Sequence, residues 1–167
     1  MKLFFKIAIL AVLLVFAFKS CGPLSGLRNP LIGQQAPDFT LETLQGQKAS
    51  MLQYRGNQPV MIFFWATWCP HCRTQLKGLM QQRDQIKQMG IKIILVDVGE
   101  SLGEVKAFCE TNNISMDVFL DENGEVSNNY RVAGIPTFIF INKEGIVKAV
   151  GHQFPQNYEE ILLGLVS

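Results

Sequence analysis

The sequence lacks a second cysteine pair. Of its four cysteines, Cys69 and Cys72 are separated by two residues, while Cys21 and Cys109 stand alone. The two histidines, His71 and His152, do not form a pair either. A structural zinc site draws four ligands, usually from two such pairs, so no metal is expected and no cofactor is implied. Charge of one sign is also missing. Fifteen Lys+Arg balance 14 Asp+Glu for a net charge of +1, with no basic stripe, which argues against a nucleic-acid partner. Internal repeats and low-complexity tracts are absent. No apolar run reaches the roughly 20 residues of a membrane-spanning helix.

The longest apolar run, residues 7–18, follows Lys2 and Lys6 and has 12 residues. A charged lead and an apolar stretch of that length make an export signal, so residues 1–20 are expected to be a signal sequence or membrane anchor. Phe18-Lys19-Ser20 is a poor small-x-small cleavage site. Ser20-Cys21-Gly22 resembles a bacterial lipoprotein signal in which Cys21 is lipidated, although Lys19 is unusual there. Cleavage, lipidation and an uncleaved anchor all remain open, with tethering to the membrane favoured over full secretion. In each case the rest of the chain meets an oxidising, extracytoplasmic compartment. Residues 21–35, rich in Gly, Pro, Ser and Asn, read as a linker, and residues 36–167 as one domain.

The chemistry lies in Trp68-Cys69-Pro70-His71-Cys72, just after the apolar run Val60-Met61-Ile62-Phe63-Phe64-Trp65. A CxxC where a buried strand turns into a helix forms a thiol–disulfide redox site. With Cys69 capping the helix, Cys72 lies one turn on, within disulfide reach. Pro70 suits the first helical position, where its missing N–H costs nothing. Cys69 then sits at the positive end of the helix dipole, which favours the nucleophilic thiolate. His71 can donate to that thiolate, or attract it when protonated.

Around this motif the chain alternates strands and helices. Phe39-Thr40-Leu41-Glu42 and the turn Gln45-Gly46-Gln47 predict a leading hairpin. Leu76, Leu79, Met80, Ile86 and Met89 predict a helix from Pro70 that Gly90 ends. Ile91 to Val96 reads as a buried strand. A helix from Ser101 carries Leu102, Val105, Phe108 and Cys109 on one side, making Cys109 a small core residue. Met116 to Leu120 is a strand and Asp121 to Gly124 a turn. Thr137 to Ile141 and Ile146 to Val150 form a hairpin, and a helix from Asn157 to Val166 follows. The order implies an α/β fold, a central mixed sheet with helices on both faces. Gly134-Ile135-Pro136-Thr137 stands before a strand that otherwise reads as central, where proline needs a special reason. A cis Ile135–Pro136 bond is one, and it would turn the backbone of Ile135 outward toward an extended peptide.

Together these residues resemble the thioredoxin superfamily. Ala36-Pro37-Asp38-Phe39-Thr40-Leu41, the hairpin and Gly99-Glu100-Ser101 are similar to the exported, membrane-tethered TlpA/ResA branch of thiol–disulfide oxidoreductases. The resemblance implies a thioredoxin-like fold with an extra strand and helix between Cys72 and Pro136. It implies Cys69 as attacking thiol, Cys72 as resolving thiol and Pro136 as the cis-proline, with Trp68, Ile135 and Pro136 as a substrate-binding rim. Protein thiols and disulfides would be the partners, with a transmembrane thiol reductase or oxidase behind them, and cytochrome c maturation is one implied setting. Pro70-His71, as redox-tuning residues, instead match strongly oxidising DsbA-like proteins. Phe63 stands where thioredoxins carry a buried acid, and Gln75 where the branch's cytochrome c reductases carry an acidic residue. Glu100 could serve as a replacement base, but an exposed loop acid is the favoured reading. Two further alternatives are a peroxiredoxin-like peroxidase, for which Thr67 stands one residue too near Cys69, and a copper-delivery protein using Cys69, Cys72 and His152.

Overall fold

Val60–Trp65 is buried at every residue, and this strand, β3, lies inside a seven-stranded mixed sheet. The computed structural model describes residues 29–163, so the expected signal or anchor, Cys21 and the last four residues lie outside the described residues. The elements run β1 (Thr40–Thr43), β2 (Lys48–Ser50), β3, α1 (Pro70–Gln88), β4 (Lys92–Val98) and α2 (Leu102–Thr111). Then follow β5 (Val118–Asp121), α3 (Glu125–Asn129), β6 (Thr137–Ile141), β7 (Val147–Gly151) and α4 (Tyr158–Leu163). Strand order is β2-β1-β5-β4-β3-β6-β7. β3, β4 and β5 are parallel neighbours, and the two hairpins attach antiparallel at the flanks. The α/β fold with a mixed sheet, a leading hairpin and an added strand and helix, β5 and α3, agrees with the sequence expectation.

Strand alternation divides the core in two. Met61, Phe63 and Trp65 face a layer containing Leu76 and Leu79 of α1, Val105 of α2 and Tyr158 of α4. Val60, Ile62 and Phe64 face the opposite layer, with Phe39, Tyr130 and Val126. Phe63 stacks on Phe138 of β6, ring centroids 4.3 Å apart, so an apolar pair fills the expected place of a buried acid. Gly90, at φ +74°, supplies the left-handed residue that stops α1.

Two features depart from the sequence reading. Turn Asp121–Gly124 leads into the short helix α3, which no periodicity announces. Buried Asp121 caps it, accepting from the Val126 and Ser127 N–H groups at 3.0 and 2.7 Å. The chain is also already packed ahead of Ala36. Gly33 donates to Val147 O, Val147 donates to Gln34 O, and Gln35 bridges to Ile146.

Candidate active site

β3 ends at Trp65, and four residues later Cys69 caps α1 with extended backbone, Pro70 taking the first helical position. Cys69 and Cys72 are joined in a disulfide, their Cα atoms 5.2 Å apart. The Cys72 N–H donates to Cys69 Sγ at 3.2 Å. An N–H of the first helical turn therefore points at the sulfur that would carry the thiolate, which favours the anion. Cys69 is 5% exposed and Cys72 fully buried, so Cys69 is the more accessible residue of the pair. Trp68 is 65% exposed beside it, and Pro70 and His71 are exposed.

The Ile135–Pro136 bond is cis. β3 and β6 pair with Phe64 opposite Thr137, so one step further Pro136 stands level with Trp65, at the strand end that feeds the CxxC turn. Half-buried Ile135 packs against both core layers, including the one that holds Cys69 and Cys72. Thr137 Oγ donates to Gly134 O at 2.6 Å. His152 Nδ1 lies 2.9 Å from Pro136 O and 3.2 Å from Thr137 Oγ. His152 thus belongs to the cis-proline loop, and no cluster of three His, Cys, Asp or Glu groups suited to a metal occurs among the described residues. Gln75 accepts from the Phe154 N–H at 2.8 Å, tying α1 to the segment before α4.

Glu100 is not an exposed loop acid. It is 9% exposed, and its carboxylate accepts from the Thr67 N–H and the Thr67 hydroxyl, both at 2.5 Å. The reason is that the turn after β4 folds back over the turn after β3. Sequence reading also passed over Asp97, fully buried on β4, where burial first and then neighbouring Glu100 push the carboxyl up to about 8. A lone acid inside the apolar run Ile93 to Val98 was the available signal. Cys109 is buried as expected, and burial pushes its thiol up to about 11, leaving it inert at neutral pH.

A parallel core flanked by hairpins, with a disulfide at the strand-to-helix turn and a cis-proline level with it, defines a thioredoxin-fold protein with a thiol–disulfide site. Comparison with known proteins narrows the class. The chain belongs to the AhpC/TSA family, whose model matches residues 32–150. It is similar to the thiol-disulfide oxidoreductase ResA of Geobacillus kaustophilus, 34% identical over 71% of this chain and 68% of that one. ResA of Bacillus thuringiensis is 32% identical over 78% and 76%. A Chlorobium tepidum structure assigned as a thiol:disulfide interchange protein DsbE superposes with a TM-score of 0.72 at 26% identity, covering 80% of this chain and 96% of that one. The protein is accordingly a TlpA/ResA-like protein thiol–disulfide oxidoreductase.

Proposed function

We propose that the chain is an extracytoplasmic, membrane-tethered reductase of protein disulfides in the cell envelope, acting through Cys69 and Cys72. The observation that carries this reading is the Cys72 N–H directed at Cys69 Sγ beside exposed Trp68. In the reduced protein the Cys69 thiolate attacks one sulfur of a partner disulfide. A mixed disulfide forms, and the partner's other sulfur leaves as a thiolate and takes a proton. Cys72, deprotonated, then attacks Cys69 Sγ, which releases the second partner thiol and restores the Cys69–Cys72 disulfide. Two electrons have passed to the partner, and a thiol carrier in the membrane would return them.

Trp68, Ile135 and Pro136 form the rim that holds the partner. The Ile135 N–H and C=O have no hydrogen bond among the described residues, which suits pairing with an extended segment. Tethering would be through the N-terminal segment or a lipidated Cys21. Among the described residues no helix is long and apolar enough to cross a membrane.

Cys69→Ser should abolish insulin reduction while leaving the fold intact, and full turnover by that variant would refute the mechanism. Exposed Pro70-His71 supports a second reading, a DsbA-like disulfide donor. A reduction potential near about −270 mV fits the reductase, and one near about −120 mV the donor.

A further inference from the structure

Arg131 carries a side chain where the backbone favours none. It follows α3 at φ +55°, in the left-handed region where glycine is the usual residue. Its N–H donates to Asn128 O at 3.0 Å and the next N–H, of Val132, to Ser127 O at 2.9 Å, the bonding pattern of a glycine-ended helix. The Asn29 amide holds this turn, donating to Tyr130 O at 3.0 Å and to Arg131 O at 3.4 Å. Lys148 also stands on irregular backbone. Phe140 pairs with Ala149 and Ile141 with Val147, which leaves Lys148 as the extra residue of a bulge, a device that re-aims a side chain. Arg131 and Lys148 line one groove of about 490 Å³, together with Thr137 and His152 beside the cis-proline. No acidic residue lines it, and neither Arg131 nor Lys148 has an ion pair among the described residues.

We propose that this cationic groove is a recognition subsite for the partner, and that it selects protein disulfides flanked by acidic residues. This rests on the proposed reading that Cys69 and Cys72 exchange disulfides with protein thiols. The groove adjoins the rim on both sides of the cis bond: its residues Arg131, Val132 and Ala133 lead through Gly134 into Ile135, and Thr137 follows Pro136. A segment held at Ile135 therefore has the groove beside it. Thr137 Oγ and His152 Nδ1 are already engaged with carbonyl oxygens of the loop, so the charge available to a ligand belongs to Arg131 and Lys148. A guanidinium takes a carboxylate through two parallel hydrogen bonds, and an ammonium takes it as a point charge. Half-buried Val132 and Val150 line the same groove and offer an apolar surface to the stem of an Asp or Glu. The contact is one of side chains, because residues 33–35 already take up the main chain at the start of β7.

The backbone at Arg131 separates a functional side chain from a structural one. Glycine there would end α3 without the clash that an L side chain meets at this φ. Arginine keeps the clash, and among the described residues its guanidinium makes no ion pair that offsets it. Strain held for a side chain with no internal use is a mark of ligand-binding positions. Charges at the border of an interface act chiefly on encounter rate and choice of partner, and salt screens them.

The test is the rate at which the reduced full-length protein, in mild detergent, is oxidised by synthetic disulfide-bridged peptides. The peptides differ only in the residues beside the bridge, which are all Glu or all Lys. At low salt the wild type should react about tenfold faster with the Glu peptide, and the ratio should shrink in about 0.5 M salt. Arg131→Gly and Lys148→Gln should each lower that ratio about threefold. Lys106→Gln, the same loss of charge at an exposed position on α2, should leave it unchanged. Each ratio is internal to one protein, so a general change in activity cancels. Arg131→Gly should unfold at the same or a higher urea concentration than wild type, since glycine suits the turn, and misfolding then does not explain its lost preference. A wild-type ratio near one, or an equal fall with Lys106→Gln, would overturn the proposal. Unchanged peptide ratios with weaker binding of both groove variants to phosphatidylglycerol vesicles would assign the groove to lipid headgroups and overturn it too. A wild type that neither peptide oxidises would remove the Cys69–Cys72 reading, an outcome distinct from a ratio of one.

Discussion

His152 and Pro136, 16 residues apart in sequence, meet with the imidazole Nδ1 at 2.9 Å from the proline carbonyl oxygen. Thr137 Oγ already donates to Gly134 O, so toward His152 it can only accept. Nδ1 therefore carries the proton and donates to Pro136 O. The edge hairpin thus holds the cis-proline loop by a side-chain donor rather than by the strand ladder alone.

His152→Ala removes that donor. A lost hydrogen bond of about 1 kcal/mol corresponds to about a fivefold fall in kcat/KM for disulfide exchange. The reduction potential should stay at its wild-type value, because the sulfurs are untouched. Insulin-reduction kinetics beside a potential measurement check this, and an unchanged kcat/KM would show that the loop holds itself.

Gly145→Ala should destabilise the fold without altering the redox site. Gly145 closes the β6–β7 turn at φ +86°, and an added Cβ would run into Gln35 Nε2 and meet Arg55 at 3.0 Å. Left-handed strain and the displaced side chains together should cost about 2 kcal/mol or more in urea unfolding. A loss below about 0.5 kcal/mol would mean that Gln35 and Arg55 move aside freely.

Asp97 makes stability depend on pH. The unfolded chain releases this proton near the ordinary value of 3.8, while the native protein keeps it to about 8. Between those values the native state binds more protons, so raising the pH favours unfolding until the native group also ionises. Asp97→Asn should therefore gain on wild type from about pH 4 to about pH 8, by on the order of 6 kcal/mol at the upper end. Urea denaturation across that range reads the gap, and a gap constant with pH would count against the buried proton.

The redox half of the site was legible because its signals are local. An apolar run, a CxxC, Pro70 and Gly90 mark β3 and α1 within one stretch of about 30 residues, typical of a single strand–helix unit. Pro136 was legible through conflict, a proline where a ladder bond was due. Asp97 and Glu100 were not. Their burial depends on β4 lying beside β3 and on the turn after β4 reaching Thr67, 33 residues back, and no periodicity records such a contact. The five residues of α3 are too few for a helical pattern, and the cap from Asp121 belongs to the preceding strand. The place of β1 beside β5 is likewise a long-range pairing that neither segment announces.

The packed segment at residues 33–35 has a consequence for how this sheet meets other chains. It takes up the main-chain groups at the start of β7, leaving a short outer margin that carries exposed Lys148. At the other margin β2 is only three residues long and begins with exposed Lys48. Short, charged or covered borders resist the sideways docking of foreign strands that leads to aggregation. A protein that exchanges disulfides with protein thiols is thereby guarded against templating its partners along the margins of its sheet.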